Sequence, residues 1–301
     1  MRDLMFILIT PVKNEEKFIK KTASTVIAQT KKPLLWLIVD DGSTDQSPNI
    51  IKELEKEYTW IKSIRLPEHP RDLTFHYSYV CKSGIDFAID YCTQNSITYE
   101  YIGLLDADTL LQRDYYENLI SEFEKEPALG IASGCLIDWT EECDQIREEY
   151  WGSLEVNSPN RNTPRGSGRL WRKKCYYETG GCPLEPACDT LSNIKAVNRG
   201  WKIAQFDQIR ALQLRATSGA EGVWKGYLSK GRTAHYLSRP FLLVLGGGVY
   251  FSMNKPYFQG IPYLIGYLSS MIKREPQIQD EEITQYWKQQ LKDYLIIKNK
   301  N

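Results

Sequence analysis

The stretch YIGLLDADTLL, residues 101–111, places two carboxylates, Asp106 and Asp108, at the end of an apolar run. In an extended segment, residues i and i+2 point to the same side, so both side chains are expected to converge on one cation or one pair of hydroxyls. Three interpretations are open: an Asp-Ala-Asp clamp for a metal-bound nucleotide, the nucleophile strand of a phosphatase, or a polar loop without chemistry. The rest of the chain has to distinguish them.

Apolar runs typical of strands alternate with helical patterns along the first part of the chain. The predicted strands are residues 4–9, 34–39, 61–66 and 99–105, and the predicted helices are residues 18–29, 50–58 and 79–92. Ser47 followed by Pro48 resembles a helix N-cap with proline in the first helical position. The alternation predicts an α/β fold with a mostly parallel sheet and helices on both faces.

Polar clusters follow three of these strands: TPVKNEE after the first, DDGSTD after the second and DADT after the fourth. Ligands of such sheets bind beyond the carboxyl ends of the strands, so one crevice could collect all three clusters. Asp40 or Asp41 could accept hydrogen bonds from a nucleobase N–H or a ribose hydroxyl; a turn leading into a helix is the alternative. Asp106 and Asp108 could hold Mg²⁺ or Mn²⁺.

Composition limits the classes of protein that fit. The 301 residues suit one large domain, or a domain of about 220 residues with an appendage. Lys plus Arg equal Asp plus Glu at 38 each, so no global field favours nucleic acid, and we expect no nucleic-acid partner. The apolar N-terminal run lacks a small-residue cleavage site and is expected to be a buried strand, not a signal peptide.

The seven cysteines form no C-x-x-C pair, which argues against a zinc site and indicates reduced thiols in a cytoplasmic protein. Cys182 and Cys188 are the one pair close enough in sequence to bridge across a loop, so a disulfide between them is the alternative.

From about Pro240 the sequence becomes rich in aromatic residues, glycine and proline, and residues 280–300 form a charged segment that predicts a closing helix. Asn254, Lys255 and Pro256 interrupt the apolar part before it reaches about 18 residues, so a membrane-spanning helix is not expected. Two alternatives remain: a surface that contacts a membrane or a partner, and ordinary packing against the main domain.

Taken together, LITPVKNEE, LIVDDGSTDQS and LLDADTLL, in this order and spacing, resemble the family 2 glycosyltransferases of GT-A fold. The resemblance continues through GSGRLWRKKCYYETGG and CDTLSNIKAVNRGWK to about residue 239. It implies a Rossmann-like GT-A domain over residues 1–239, with a nucleotide-binding part (1–110) and an acceptor-binding part (111–239), followed by a helical extension (240–301). It also implies a nucleotide-diphospho-sugar donor, Mg²⁺ or Mn²⁺, and transfer with inversion to a glycan or lipid-linked acceptor.

The resemblance assigns roles to individual positions. Asp41 would face the base, Asp106 the ribose or the metal, and Asp108 the metal. The remaining residues expected to bind the nucleotide sugar are Pro11, Val12, Glu15, Arg71, Lys82 and Ala107. Among these, Arg71 and Lys82 lie where relatives often place cations that meet the donor diphosphate.

Two positions depart from the family pattern. Where many relatives carry a Glu-Asp pair, this chain has Cys188 and Asp189, so Asp189 is the expected catalytic base, with a helix N-cap as the alternative role. Where relatives often carry a metal-ligating histidine, Gln213 stands, followed by Arg215.

The remaining assignments concern a possible sugar-stacking position and the three histidines. Gly168 would allow a sugar to approach Trp171, whose ring could stack on it, although core packing of Trp171 is an equal alternative. His69, His76 and His235 are expected to be structural or surface residues, not catalysts.

Two rival functions remain. In a haloacid dehalogenase-type phosphatase, Asp106 would be the nucleophile and Asp108 the acid and base, but about 100 residues precede LLDADTLL, whereas those enzymes begin with this strand. A sugar-nucleotide-binding subunit without turnover is suggested by Cys188 and Gln213, which replace the family's usual Glu and His.

Overall fold

A computed structural model describes residues 5–68, 75–138, 151, 163–215, 222–253 and 256–298. The chain divides into two compact units, Met1–Arg215 and Ala216–Asn301. The predicted boundary at residues 239/240 would instead assign helix α7 (Val223–Tyr236) to the first unit. Helix α7 belongs to the second unit, where it packs closely against helix α9 (Gly260–Ile272).

The first unit is built on eight strands within the described ranges. They are β1 Phe6–Val12, β2 Leu35–Asp40, β3 Ile61–Arg65, β4 Tyr101–Leu104, β5 Thr109–Leu111, β6 Leu129–Asp138, β7 Arg169–Arg172 and β8 Lys202–Gln213. Six helices accompany them: α1 Ile19–Ile27, α2 Ser47–Glu57, α3 Phe75–Gln94, α4 Tyr115–Lys125, α5 Lys173–Thr179 and α6 Cys188–Asn198.

The strands form one sheet in the order β3-β2-β1-β4-β7-β6-β8-β5. The first four run parallel, as the alternating pattern predicts, and β6 is parallel to β8. Strand β7 is antiparallel to β4 and β6, and β5 is antiparallel to β8. The sheet is therefore mixed, and its parallel half places the ends of β1, β2 and β4 at one edge.

Alternation along each strand divides the core into two layers. In β1, Phe6 and Leu8 pack on the side of α1, α2 and α4, whereas Ile7 and Ile9 pack on the side of α3, α5 and α6. Because both faces are covered, β2 is buried along its whole length, as expected for a parallel strand. The predicted α/β architecture with helices on both faces is confirmed.

Two local predictions need correction. Strand β1 continues through Val12, so Thr10, Pro11 and Val12 belong to the strand rather than to the turn after it. Ser47 is the first residue of α2 and not a side-chain cap. Its amide donates to Asp45 at 2.9 Å, and its hydroxyl accepts from a different segment, because the turn before α2 pairs with the turn after β1.

The second unit contains α7, α8 (Phe241–Ser252), α9 and α10 (Glu281–Lys298), the last of which coincides with the predicted closing helix. No helix in the described part of the chain is long and apolar enough to cross a membrane. The six cysteines that fall in the described ranges are buried free thiols, Cys182 and Cys188 among them, so that pair is not bridged; Cys143 lies outside those ranges.

Candidate active site

Acidic residues collect where β1, β2 and β4 end. Glu15 follows β1, Asp41 follows β2, and Asp106 follows β4. Because these three strands are adjacent and parallel, their carboxyl ends meet at one edge of the sheet. The structure therefore brings together the three polar clusters that the sequence separates by up to about ninety residues.

The turns after β1 and β2 are joined by reciprocal hydrogen bonds. The amide of Glu15 donates to the Ser47 hydroxyl at 2.8 Å, and the amide of Glu16 donates to Asp45 Oδ2 at 3.0 Å. In return, the amide of Gln46 donates to Glu16 Oε2 at 3.0 Å. Similar bonds link Asn14 to the backbone and side chains of residues 43 and 44. These bonds hold both turns of the site in one arrangement.

Asp40 and Asp41 have different surroundings. Asp40 forms an ion pair with Arg65 and accepts from the amide of Ser43 at 2.9 Å, so it holds the turn. Asp41 Oδ1 lies 2.8 Å from Nε2 of His76, which projects from α3. Asp40 therefore has a structural role in the turn, and Asp41 is the candidate of the two for contacting a ligand.

The Asp-Ala-Asp segment is a turn between β4 and β5, not an extended strand as predicted, and the amide of Thr109 closes it on the carbonyl of Asp106 at 3.2 Å. Tyr77 donates to Asp106 Oδ1 at 2.7 Å, and the amide of Asp106 donates to the hydroxyl of Ser167 at 2.9 Å. The carbonyl of Ala107 accepts from Thr22, and its side chain packs in the core.

The two carboxylates nevertheless share one electrostatic environment. Burial and then the negative charge of Asp108 raise the pKa of Asp106 to about 7, although the hydrogen bond from Tyr77 opposes the shift. Asp108 is itself buried and lies 3.0 Å from the guanidinium of Arg215, which also donates to Glu15 at 2.8 Å. The ion pairs outweigh burial and raise the pKa of Arg215 above its ordinary value.

Asp189 lies in the first turn of α6. The N-cap residue of this helix is Ala187, which has left-handed backbone angles, so Asp189 is not the N-cap. Its Oδ1 accepts from the amide of Thr190 at 2.7 Å. Arg169, which is fully buried, donates to the carbonyl of Asp189 at 3.4 Å and to Asn193 at 3.2 Å. Burial lowers the pKa of the Arg169 guanidinium, while the charge of Asp189 opposes that effect.

Some predicted site residues have other environments. Trp171 is only 1% exposed and packs among core residues, including Tyr176, so the core-packing alternative describes it. Gly168 has a φ of 72°, and a Cβ there would lie 2.5 Å from the Tyr115 hydroxyl, so tight packing explains this glycine without a sugar. Lys82 forms an ion pair with Asp86 on the same helix at 2.7 Å. Arg71 and His69 lie outside the described residues.

Gln213 ends β8 and pairs with Thr109 in the sheet, next to the Asp-Ala-Asp turn. Tyr77, His76 and Arg215 belong to the same site, but no role in the site was predicted for them. A pattern of charges alone could not have identified them, because their partners are distant in sequence. The partner of Tyr77 is 29 residues away, that of His76 is 35 residues away, and the two partners of Arg215 are about 100 and 200 residues away.

The residues present fit a divalent cation of the Mg²⁺ or Mn²⁺ type. Such cations take oxygen ligands, often one or two carboxylates with substrate phosphates completing the shell. Asp106 and Asp108 could supply the carboxylates, and a nearby cation would offset the burial and the mutual repulsion that raise the pKa of Asp106. Within the described ranges, no group of three or more His, Cys, Asp or Glu side chains is arranged for a metal.

Known proteins resemble this chain in sequence. Poly-beta-1,6-N-acetyl-D-glucosamine synthase of Staphylococcus epidermidis is 29% identical over 121 residues, which cover 40% of this chain and 26% of that protein. Beta-monoglucosyldiacylglycerol synthase of Nostoc sp. is 26% identical over 202 residues, which cover 61% of this chain and 39% of that protein. The chain thus spans well under two thirds of these relatives.

The fold also matches solved structures. The mannosyltransferase PcManGT from Pyrobaculum calidifontis, in complex with GDP-Man and Mn²⁺, superposes with a TM-score of 0.56 at 16% identity, covering 90% of this chain and 87% of that one. This similarity confirms the predicted GT-A architecture.

The model of the family described as "Glycosyl transferase family 2" matches residues 7–171, more than half of the chain, and includes all three acidic clusters. On this match, the chain belongs to glycosyl transferase family 2.

Proposed function

We propose that this protein transfers a sugar from a nucleoside diphosphate sugar to the hydroxyl of an acceptor, with inversion at the anomeric carbon. The observation that carries the proposal is the convergence of Glu15, Asp41, Asp106 and Asp108 at one edge of a family 2 glycosyltransferase sheet. A phosphatase is not favoured, because the family match extends across LLDADTLL and the two clusters before it.

The donor nucleotide would bind across the ends of β1 and β2. Asp41, oriented by His76 at 2.8 Å, would accept a hydrogen bond from the base or the ribose, beside Pro11, Val12 and Glu15. PcManGT binds GDP-Man, and a related fold in TarS of Staphylococcus aureus (TM-score 0.52) binds UDP-GlcNAc. Both guanine and uracil donors are therefore reasonable to test.

Asp108 and Asp106 would hold Mg²⁺ or Mn²⁺, and Gln213, which pairs with Thr109 in the sheet, would contribute an amide oxygen. When bound, the cation would neutralise charge on the departing diphosphate. Tyr77 holds the carboxylate of Asp106 and Ser167 holds its backbone amide, so the carboxylate would meet the ligand without rearranging.

Asp189 would take the proton of the acceptor hydroxyl as that oxygen attacks the anomeric carbon. Its Oδ1 already accepts from the amide of Thr190, so the proton is expected on Oδ2. Cys188, where many relatives carry an acid, is buried and faces the core, so it is not expected to share the role of base.

The acceptor is proposed to be a glycan or a lipid-linked molecule. One relative is named for a polysaccharide and another for a glucosyldiacylglycerol, and both classes offer hydroxyl acceptors. The second unit favours a lipid surface, for a reason that its helices supply.

Helices α8 and α9 expose an apolar face. Leu242, Leu245 and Val249 on α8 and Ile261 and Ile265 on α9 are each at least 41% exposed and follow helical spacing. Neither helix contains a charged residue, whereas Lys273 and Arg274 follow α9 directly. An apolar face with basic residues beside it is the pattern of helices that lie in the interface of an anionic membrane. We therefore propose peripheral membrane contact through this face.

Flotation with phosphatidylglycerol vesicles tests the membrane proposal. The wild-type protein should float with these vesicles, Val249→Glu should not, and Gln290→Glu, which adds the same charge on an exposed position of α10, should float normally. If the wild-type protein floats with none of the vesicles tested, the membrane proposal is wrong. If Val249→Glu disrupts a dimer instead of membrane binding, a second copy of the chain covers this face.

The function itself is tested by thermal unfolding with UDP-, GDP-, dTDP- and ADP-sugars, with and without Mn²⁺, because a ligand of the folded state raises its stability. A shift with one nucleotide class, followed by steady release of the nucleoside diphosphate with acceptor or water, is the expected result. Binding without any release would support the non-catalytic subunit. No shift with any donor would contradict the proposed function.

A further inference from the structure

Arg215 connects two acids of the site that belong to different strand ends. Its guanidinium lies 2.8 Å from Glu15 Oε1, after β1, and 3.0 Å from Asp108 Oδ2, after β4. The side chains of Glu15 and Asp108 are 6% and 4% exposed, whereas that of Arg215 is 29% exposed. The cation is thus the accessible member of a group whose two anions are buried.

This arrangement places a fixed positive charge in the place where the donor diphosphate is expected. Asp108 is a proposed metal ligand, and Glu15 lines the proposed nucleotide site. A guanidinium binds phosphate oxygens with the same two-pronged geometry that it uses for carboxylates. It also remains charged at any pH in which the protein is folded. Arg215 can therefore exchange a carboxylate partner for a phosphate partner without a change of protonation.

Lys82, one of the two cations that the resemblance assigns to the diphosphate, does not offer this geometry in the structure. Lys82 is paired with Asp86 along α3, and Arg71 lies outside the described residues. Arg215, in contrast, lies two residues after Gln213, and the amide of the intervening Leu214 donates to the carbonyl of Asp108 at 2.8 Å. The backbone itself keeps Arg215 next to Asp108.

We propose that Arg215 is a diphosphate-binding residue that rests on Glu15 and Asp108 while the site has no donor, and that it gives nucleotide binding a component independent of metal. The proposal rests on the proposed function, since it concerns the same donor site. It adds that a protein side chain supplies part of the positive charge that a divalent cation usually supplies. It also implies that Arg215 and a metal compete for Asp108 before the donor arrives.

Isothermal titration calorimetry of UDP, GDP, dTDP and ADP, in EDTA and in Mn²⁺, tests the proposal. The wild-type protein should bind one of them in EDTA, more weakly than in Mn²⁺. In EDTA, Arg215→Gln should bind the nucleotide at least about tenfold more weakly than the wild-type protein, roughly what one charge-assisted bidentate contact contributes. In Mn²⁺, the loss of affinity should be clearly smaller. Arg215→Lys should lie between the two, because an ammonium cannot make the bidentate contact. Arg199→Gln, the same change at the far end of α6, is the control.

A second measurement does not depend on the nucleotide. Electron paramagnetic resonance of free Mn²⁺ should show tighter Mn²⁺ binding by Arg215→Gln than by the wild-type protein, because Asp108 is released. If the wild-type protein binds nucleotide only with Mn²⁺, or if Arg215→Gln loses equal affinity in both conditions, the role of Arg215 is wrong while the transferase function stands. If none of the four nucleotides binds in either condition, the proposed function fails and this proposal fails with it.

Discussion

The phenol of Tyr77 donates a 2.7 Å hydrogen bond to Oδ1 of Asp106, linking the first turn of α3 to the end of β4. The amide of Asp106 simultaneously donates to Ser167, so the residue is held through both its side chain and its backbone. Burial raises the pKa of Tyr77 well above its usual value, and the charge of Asp106 adds to this effect. The phenol therefore keeps its proton near neutral pH and remains a hydrogen-bond donor. Helix α3 thus takes part in orienting the site.

Removal of this hydrogen bond should be measurable. Tyr77→Phe keeps the ring but leaves Asp106 without one donor, so the free energy of unfolding should fall by about 1 kcal/mol. Urea unfolding of the metal-free protein measures the change. Tyr79→Phe on the same helix, where the side chain is 48% exposed, provides the matched control. If both variants unfold at the same urea concentration, the hydrogen bond does not stabilise the site.

Much of the fold follows from local sequence patterns. The four parallel strands and the helices between them were predictable, because full burial on both faces requires continuous apolar runs such as LWLIVD, residues 35–40. Strand β7 was not predicted, although RLWR, residues 169–172, pairs antiparallel with β4. A four-residue strand has too few residues to show a period, and its pairing depends on a distant partner.

The candidate site, like the fold, was predictable from the sequence only in part. Acidic residues after strands mark the edge where ligands bind, so spacing indicated Asp106, Asp108 and one of Asp40 and Asp41 as candidate site residues. The side chains that orient them were not, because Tyr77, Ser167 and Arg215 reach the acids through tertiary folding and have no signature of their own. Trp171 illustrates the opposite problem: an aromatic residue suits a sugar and a core equally well until its burial is known.

Replacement of the proposed base should separate binding from transfer. Asp189→Asn can still accept from the amide of Thr190, so α6 should begin normally and donor affinity should be kept. Transfer should fall by at least about 100-fold, the lower end of what positioned acid-base groups contribute. Single-turnover assays with saturating donor measure the loss, and calorimetry measures the affinity. Near-normal transfer would show that another group takes the proton.

Replacement of Asp108 should act on the metal. Asp108→Asn removes one of the two carboxylates proposed to hold Mn²⁺, so the Mn²⁺-dependent part of donor binding should weaken by at least about tenfold, as expected when a metal ligand is changed. Asp90→Asn, the same change on an exposed position of α3, is the control. Titration of donor binding against Mn²⁺ gives the result, and an unchanged Mn²⁺ dependence would place the metal elsewhere.

The paired turns after β1 and β2 should make stability depend on pH. Burial alone would raise the pKa of Asp45, but hydrogen bonds from Ser47 and from the amide of Glu16 outweigh it and leave the pKa below its usual value. A lowered carboxyl pKa stabilises the fold above the unfolded-state pKa, and this contribution is lost as pH falls through the folded-state pKa.

Asp45→Asn keeps one acceptor but loses the charge. We expect it to be less stable than wild type by about 1 kcal/mol at pH 7, a value reduced for partial solvent exposure. The difference should shrink below about pH 4, the region of the unfolded-state pKa of aspartate. Urea unfolding between pH 3 and 7 measures it, and a difference that stays constant over this range would exclude a contribution from the charge of Asp45.

In the second unit, α7 and α9 approach each other at glycines. A Cβ on Gly231 would lie 2.0 Å from the carbonyl oxygen of Tyr263, and a Cβ on Gly266 would lie 2.1 Å from that of Leu228. Gly231→Ala should therefore force the helices apart and destabilise this unit by about 1–3 kcal/mol, the usual cost of overpacking. Gly246→Ala on α8, where the atom nearest to the added Cβ would be 4.0 Å away, should instead be neutral or stabilising through helix propensity.

Hydrogen exchange of the α7 and α9 amides reports the local free energy of opening. Equal protection in the two variants would mean that the helices do not need this close approach.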